Sequence, residues 1–219
     1  MRRIFILIGP PGSGKGTQAG LLIEKLRKRP KYFSVGEILR KEIEKETELG
    51  LQVEKYVDKG LLVPDEIISE VIIKRIRAER GDIILDGFPR TLSQALLLEK
   101  YLAEKETRNI VIEIALPKEQ IVLERIAGRR YCVNGHLFHL KFDPPKKEGV
   151  CDYCGEKLKI RADANPKVIK ERLKIYHQET KPLIKYYKGH HNYKFITING
   201  SKDIQTVHDN FMKKIRPNL

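Results

Sequence analysis

The stretch GPPGSGKGT, residues 9–17, has the composition and spacing of a loop that binds phosphate groups. It fits the pattern G-x-x-x-x-G-K, in which backbone N–H groups surround anionic oxygens and the lysine reaches the outer phosphates. The alternative interpretation is an ordinary glycine-proline turn that ends a strand. Because an apolar run precedes the loop and apolar residues at helical spacing follow it, the context favours a phosphate loop with a nucleoside triphosphate as ligand.

The position after the loop lysine departs from the common pattern. Gly16 stands where most such loops have a Ser or Thr that binds magnesium, and Thr17 follows one place later. A magnesium ion is therefore expected to be held mainly by phosphates and waters. Asp86 ends the apolar run IILD and is a candidate to organise Mg²⁺ through water; the alternative role is a structural cap at the strand end.

Composition predicts a soluble globular protein with a substantial core. The chain has 219 residues, of which 41% are hydrophobic and 33% charged, and its formal net charge is +14. This charge suits anionic partners in general, but much of it lies in segments where lysines and glutamates interleave, as on a solvated helix face. The apolar run near the start is too short for a secretory signal, so the sequence predicts a cytoplasmic protein without membrane spans.

The apolar pattern predicts an α/β fold with a largely parallel sheet flanked by helices. Strands are expected at residues 4–8, 83–86, 110–116 and 193–198, and helices at 65–79, 92–105, 118–127, 166–187 and 203–215, with a kink at Pro182. Two stretches break this alternation. Residues 35–64 look like a helical insert, and residues 130–161 lack a helical period and hold all three cysteines.

The cysteines predict a structural zinc site. Cys151 and Cys154 form a CxxC pair, Cys132 lies upstream, and His136 is the preferred fourth ligand, with His139 as the alternative. Three thiolates and an imidazole supply the four tetrahedral ligands of a closed zinc site. The other interpretations are buried reduced thiols or a redox CxxC; a redox pair normally opens a helix, whereas CDYCGEKL is typical of a turn.

Taken together, the motifs resemble adenylate kinases of the long-lid, zinc-containing kind over essentially the whole chain. They are GPPGSGKGTQA, FSVGEILR, GLLVPDE, LDGFPRTLSQA, ERIAGRR, HLKFDPP and ERLKIYHQETKPLIKYY, and LDGFPRT together with GKGT is highly specific. The resemblance implies a phosphate-loop kinase core with a parallel five-stranded sheet (residues 1–34, 65–129 and 162–219). It also implies a helical monophosphate-binding insert (residues 35–64) and a small zinc-bearing lid (residues 130–161).

The resemblance implies reversible phosphoryl transfer from ATP to AMP, which gives two ADP, with Mg²⁺ accompanying ATP and Zn²⁺ in the lid. Such catalysis rests on positioning and cationic groups, so no side chain need act as a base. The residues implied as catalytic are Lys15, Arg90, Arg125, Arg161 and Arg172. Those implied to bind ATP are Gly12, Ser13, Gly14, Lys15, Gly16, Thr17, Arg125, Arg129, Phe138 and Lys202. Those implied to bind AMP are Val35, Arg40, Leu61, Leu62, Val63, Gly87, Phe88, Pro89, Arg90, Gln94, Arg161 and Arg172.

Two positions differ from the family pattern. Val35 stands where the family usually has a threonine that contacts AMP, and Asp163 is followed by Ala164 instead of a second aspartate. The first difference keeps another nucleoside monophosphate kinase (for CMP, UMP or GMP) as an alternative function. A zinc-bearing nucleic-acid binder is a remote alternative. The aromatic residues of the lid are scattered, whereas a surface that stacks successive bases needs them grouped. A regulatory nucleotide switch is a further alternative function. The arginine-rich second site counts against it, because a switch binds only one nucleotide. The expected partners are ATP and AMP, without nucleic acid or membrane, and the expected state is a monomer.

Overall fold

The computed structural model describes residues 1–26, 28–160 and 164–219. Its strands are β1 (Arg2–Ile8), β2 (Lys31–Ser34), β3 (Ile83–Asp86), β4 (Thr107–Ala115), β5 (Arg129–Tyr131), β6 (Leu137–His139) and β7 (Tyr193–Asn199). In this described part of the chain, five of them form a parallel sheet in the order β2-β3-β1-β4-β7. The predicted α/β class with a parallel sheet is confirmed.

The central strand explains why its sequence is a continuous apolar run. β1 pairs with β3 on one side and β4 on the other, and Ile4, Phe5 and Ile6 are fully buried. A strand covered by helices on both faces has no solvent-facing side, so its residues need not alternate in polarity. The four strands expected from the sequence are confirmed. β2 was not among them, because it is a four-residue edge strand in which only Phe33 is buried.

Helices cover both faces of the sheet. They are α1 (Lys15–Lys25), α2 (Val35–Glu44), α3 (Glu48–Lys59), α4 (Asp65–Ala78), α5 (Leu92–Ala103), α6 (Glu119–Ala127), α7 (Pro166–Ile175), α8 (Pro182–Lys188) and α9 (Ile204–Ile215). One apolar cluster joins the sheet to α4, α5 and α8, and a second joins it to α1 and α9. No helix in the described residues is long and apolar enough to cross a membrane.

The long helix expected at residues 166–187 is divided into three parts. α7 ends at Ile175, a π-helical turn covers Tyr176–Thr180, and α8 begins at Pro182. The backbone N–H of Lys181 donates to Tyr176 O at 2.7 Å, which widens the turn. Proline has no N–H to donate and is tolerated only in the first turn of a helix, which is the position of Pro182 in α8. The expected interruption at Pro182 is confirmed.

Two segments differ from the alternation of strands and helices in the rest of the described chain: residues 35–60 hold two consecutive helices, and residues 129–160 hold two short strands. In the first, α2 and α3 cross so closely that a Cβ on Gly50 would lie 2.2 Å from the carbonyl oxygen of Glu42. In the second, β5 and β6 form an antiparallel pair, and the described residues contain no helix between α6 and residue 160. Its apolar cluster consists of Cys132, Phe138, Cys151 and Leu158, which is a very small core for a separate unit.

Candidate functional site

The phosphate loop lies between the end of β1 and the start of α1, at the carboxyl edge of the sheet. Gly12 and Gly14 have φ angles of 72° and 94°, in the left-handed region that glycine adopts without strain. Gly14 is also the N-cap of α1, so the N–H groups of the first helical turn point into the loop. The sequence prediction of a strand, a glycine-rich loop and a helix is confirmed at this position.

Lys15 lies across the mouth of the loop. Its Nζ donates to the carbonyl oxygens of Gly9 and Pro10 at 2.9 and 3.0 Å. Removal from water lowers the pKa of Lys15 to about 8; Asp86 acts in the opposite direction, and nearby arginines add to the lowering. The oxygens of a bound phosphate group beside this amine would favour its charged form and raise its pKa again.

Tyr32 was not among the predicted site residues, although it contacts the one predicted magnesium residue. Its hydroxyl donates to Asp86 Oδ2 at 2.8 Å and so joins β2 to the carboxyl end of β3. A Cβ on Gly16 would lie 3.3 Å from the Tyr32 hydroxyl oxygen and 3.8 Å from that carboxylate oxygen. The Tyr32–Asp86 pair therefore lies directly against the position that a Ser or Thr side chain would take after the loop lysine.

Cationic side chains from separate parts of the chain converge on the cleft in front of the loop. The predicted residues that line this cleft are Gly12, Ser13, Gly14, Lys15, Gly16, Thr17, Arg40, Asp86, Arg90, Arg125, Arg129, Phe138, Arg172 and Lys202. Arg125 Nη2 donates to Lys202 O at 3.1 Å, and its guanidinium lies 5.7 Å from the Phe142 ring centroid. Burial lowers the pKa of Arg125.

A second pocket adjoins this cleft and is bounded by the helical segment. Its predicted lining residues are Val35, Arg40, Leu61, Leu62, Val63, Gly87, Arg90, Gln94 and Arg172. Pro89 lines a small cavity between the two, whereas the Phe88 side chain lies in the main core with 1% exposure. Arg161 lies outside the described residues, as does Asp163. Apart from Phe88, the described residues predicted to bind nucleotides line these three neighbouring cavities.

Gln94 lies in a hydrogen-bond network that the sequence did not indicate. Its Oε1 accepts from the backbone N–H of Arg90 at 2.7 Å, and its Nε2 donates to Asp65 Oδ1 at 2.7 Å. Thr91 donates to the other oxygen of Asp65 and caps α5 by accepting from Gln94 N. These bonds fix the segment that carries Arg90, whose Nε donates to Gly87 O at 2.9 Å.

The segment of residues 129–160 brings the four predicted metal ligands together. The donor atoms of Cys132, His136, Cys151 and Cys154 all lie within 4.8 Å of one another. His136 Nδ1 lies 3.3 and 3.4 Å from the sulfurs of Cys132 and Cys151, and the sulfurs of Cys132 and Cys154 are 3.7 Å apart. A hydrogen bond from Asn134 lowers the pKa of the Cys154 thiol to about 6, which favours the thiolate.

The three separations of 3.3, 3.4 and 3.7 Å are close to those between the ligand atoms of a tetrahedral zinc ion. Zn–S and Zn–N bonds of about 2.3 and about 2.0 Å give edges of about 3.8 Å between sulfurs and about 3.5 Å between sulfur and nitrogen. Gly135, with φ of 85°, lies in the turn between Cys132 and His136, and its backbone N–H donates to Cys132 O at 2.9 Å. His139 points elsewhere: its Nδ1 accepts from the backbone N–H groups of Lys141 and Phe142, and its ring packs on Gly128.

The fold and the site define the class. A phosphate loop after the central strand of a parallel sheet, facing an arginine-lined cleft, is the arrangement of a phosphate-loop kinase core. The family model described as "Adenylate kinase" matches residues 7–192 of this chain.

Relatives agree with that match over most of the chain. The chain is 49% identical over 189 residues to an adenylate kinase of Caldicellulosiruptor bescii, covering 84% of this chain and 86% of that protein. It is 43% identical over 210 residues to an adenylate kinase of Clostridium tetani, covering 94% and 95%. It is 39% identical over 217 residues to an adenylate kinase of Thermococcus kodakarensis, covering 98% and 93%. The chain belongs to the adenylate kinase family.

Proposed function

We propose that this chain transfers the terminal phosphoryl group of ATP reversibly to AMP, giving two ADP. The observation that carries the proposal is that two pockets adjoin and share cationic residues. Arg40, Arg90 and Arg172 line both the phosphate-loop cleft and the pocket beside the helical segment. Two anionic nucleotides repel each other, and guanidinium groups between them both hold the phosphates and stabilise charge on the transferred group.

The two pockets divide the proposed binding roles. ATP is proposed to contact Gly12, Ser13, Gly14, Lys15, Gly16, Thr17, Arg125, Arg129, Phe138 and Lys202. AMP is proposed to contact Val35, Arg40, Leu61, Leu62, Val63, Gly87, Pro89, Arg90, Gln94, Arg161 and Arg172, and Phe88 through its backbone, because the Phe88 side chain is buried in the core. The proposed catalytic residues are Lys15, Arg90, Arg125, Arg161 and Arg172. The AMP phosphate is already ionised, so the reaction needs alignment and cations rather than a general base.

This assignment corresponds to three structural parts. We propose a core of residues 1–34, 65–129 and 162–219, an AMP-binding insert of residues 35–64, and a lid of residues 130–161. The chain is further proposed to act as a cytoplasmic monomer without nucleic-acid or membrane partners, as the resemblance implies. Light scattering of the purified protein tests the monomer directly.

Two metals accompany the proposal. Mg²⁺ bound with ATP would neutralise charge on the outer phosphates, and Asp86, held by Tyr32, would orient its water ligands. Zn²⁺ held by Cys132, His136 and two further thiolates would fasten a lid whose apolar cluster contains only four residues in the described chain.

ADP formation from ATP with AMP, CMP, UMP or GMP, in the presence of magnesium, tests the function. A clear preference for AMP supports it, and no transfer to any of the four refutes it. Faster transfer to another monophosphate would support the second candidate function, a kinase for a nucleoside monophosphate with a different base. Val35 motivates this candidate, because it lines the second pocket where the family usually has a threonine. In that case Val35→Thr is the first reversion to make.

Zinc is tested separately from activity. Purified protein without a histidine tag should contain about one zinc per chain. His136→Ala should lose most of this metal and lower the thermal stability of the lid, whereas His139→Ala, the matched control, should retain it. Equal zinc content in the two variants would exclude His136 as a ligand. Cys151→Ser should lower lid stability more than it lowers turnover at moderate temperature.

A further inference from the structure

Gln18 and His208 form a buried polar pair behind the phosphate loop. Gln18 lies in the first turns of α1 and His208 lies on α9, and each is only 2% exposed. His208 Nδ1 lies 3.1 Å from Gln18 Oε1. Ala19, Leu22, Val207 and Phe211 belong to the apolar cluster between the same two helices. Burying polar groups in apolar surroundings costs free energy unless their hydrogen bonds are made, so each of these two side chains is held in place by the other.

The orientation of both side chains follows from one further contact. Gln18 Nε2 donates to the backbone carbonyl of Ile204 at 3.1 Å, and a carbonyl oxygen only accepts. Gln18 Oε1 must therefore face His208, whose Nδ1 carries the proton. The Nε2 atom of His208 is buried with no hydrogen-bond partner among the described residues. Burial lowers the pKa of His208, while Asp209, Lys25 and Glu24 are the charged groups around it, so the neutral ring is favoured.

The contact to Ile204 leads directly to the nucleotide cleft. Residues 199–204 connect β7 to α9, and Lys202, Asp203 and Ile204 line the cleft together with Val207. We call residues 199–204 the base wall. The phosphate loop lines this cleft together with the apolar and aromatic side chains of Val207, Phe138 and Phe142. A planar base attached to loop-bound phosphates has this part of the cleft available to it.

The base wall is attached to the phosphate-loop region at two points. Gly200 N donates to Ala115 O at 2.8 Å, and a Cβ on Gly200 would lie 3.1 Å from Ser13 O, so the start of the wall packs on the loop itself. The end of the wall is held by the bond from Gln18 to Ile204. Gln18 lies one helical turn after Gly14, to whose carbonyl its backbone N–H donates at 2.9 Å. One side chain thus joins the helix that begins at the loop to the far end of the wall.

We propose that Gln18 and His208 are positioning residues that fix the base wall relative to the phosphate loop and thereby determine affinity for the nucleoside part of ATP. This inference rests on the proposed function, in which the cleft binds ATP. His208 holds the Gln18 amide in one orientation, and the amide holds Ile204. Neither residue is required to touch the reacting phosphates.

Binding of two probes to His208 variants tests the proposal. His208→Leu removes the donor to Gln18, and His208→Asn retains an N–H near the position of Nδ1. By calorimetry, His208→Leu should bind ATP about fivefold to tenfold more weakly, with affinity for inorganic tripolyphosphate, which lacks a base, unchanged within about twofold. In His208→Leu, KM should rise for ATP and not for AMP. His208→Asn should restore both the dissociation constant and the KM for ATP.

A second variant covers the possibility that His208→Leu does not fold. The double change Gln18→Met with His208→Leu replaces both polar groups, leaves neither of them unpaired and removes the bond to Ile204. It should show the same selective loss of ATP affinity. Unchanged ATP affinity in the folded variants, an equal loss for ATP and tripolyphosphate, or failure of His208→Asn to restore binding would each overturn the proposal. The binding measurements with ATP and tripolyphosphate need no AMP, so failure of the wild-type chain to form ADP would refute the proposed function separately.

Discussion

The affinity for ATP should fall as the pH rises above about 8, because Lys15 loses its proton there. The pKa of Lys15 is lowered to about 8 by its removal from water, despite the opposing effect of Asp86. Phosphate oxygens beside the amine favour its charged form, so ATP raises this pKa. By linkage, the protonated protein is the form that binds ATP well. Binding is therefore strongest below pH 8 and weakens as the pH rises through that value.

The size of the effect follows from the two pKa values. In the complex, the pKa of Lys15 is expected to return towards the ordinary lysine value of 10.5. With about 8 in the free protein, the dissociation constant for ATP should increase about eightfold between about pH 7.5 and about pH 9. Binding at about pH 8 should take up about half a proton. The lower limit avoids the second ionisation of a phosphate ester, near pH 6.

Calorimetry in two buffers of different ionisation enthalpy measures both the dissociation constant for ATP and the number of protons taken up on binding. Lys15→Arg is the control variant, because guanidinium does not titrate in this range and its ATP affinity should not change with pH. AMP binding is an internal control, since arginines dominate its proposed site. An ATP dissociation constant that is equal at both pH values, or a pH slope that persists in Lys15→Arg, would refute the reasoning.

Three further substitutions test separate features. Tyr32→Phe removes the hydrogen bond to Asp86 and should raise the magnesium concentration needed for half-maximal ATP binding by about tenfold; an unchanged magnesium titration would contradict this. Gly50→Ala should lower the free energy of unfolding by about 1 to 3 kcal/mol, because its Cβ would lie 2.2 Å from a backbone oxygen of α2. The matched control Gly20→Ala, with nothing within 4 Å, should raise it by about 0.5 to 1 kcal/mol in the same urea titration. Val35→Thr should lower KM for AMP by up to about fivefold and leave KM for ATP unchanged, and equal changes in both constants would exclude a role in the AMP pocket.

The features that were predictable from the sequence are those encoded by neighbouring residues. The phosphate loop depends on glycines at fixed spacing and on the apolar run before them, and the structure has the expected strand, loop and helix. The metal cluster depends on turns of three or four residues, and His136 lies with the cysteines as preferred. β2 was missed because four residues at a sheet edge carry no periodic signal.

The features that were not predictable are polar contacts between distant residues. Tyr32 and Asp86 are 54 positions apart, and Gln18 and His208 are 190 apart. Spacing along one chain does not indicate which side chains face each other across parallel strands or packed helices. Asp65 illustrates the point, since by sequence it marks only the start of α4, whereas in the fold it joins Thr91 and Gln94 beneath Arg90.

The electrostatic arrangement of the cleft relates folding to substrate binding. Arg90, Arg129 and Arg172 each act to lower the pKa of Lys15, whereas Asp86 acts to raise it. These cations come from different parts of the chain, so docking of those parts brings like charges together and costs free energy. Nucleotide phosphates reverse the sign of this interaction. Bound nucleotides should therefore stabilise the fold by more than their contact area alone implies, and the gain should decrease with added salt, because screening weakens both the repulsion and its relief.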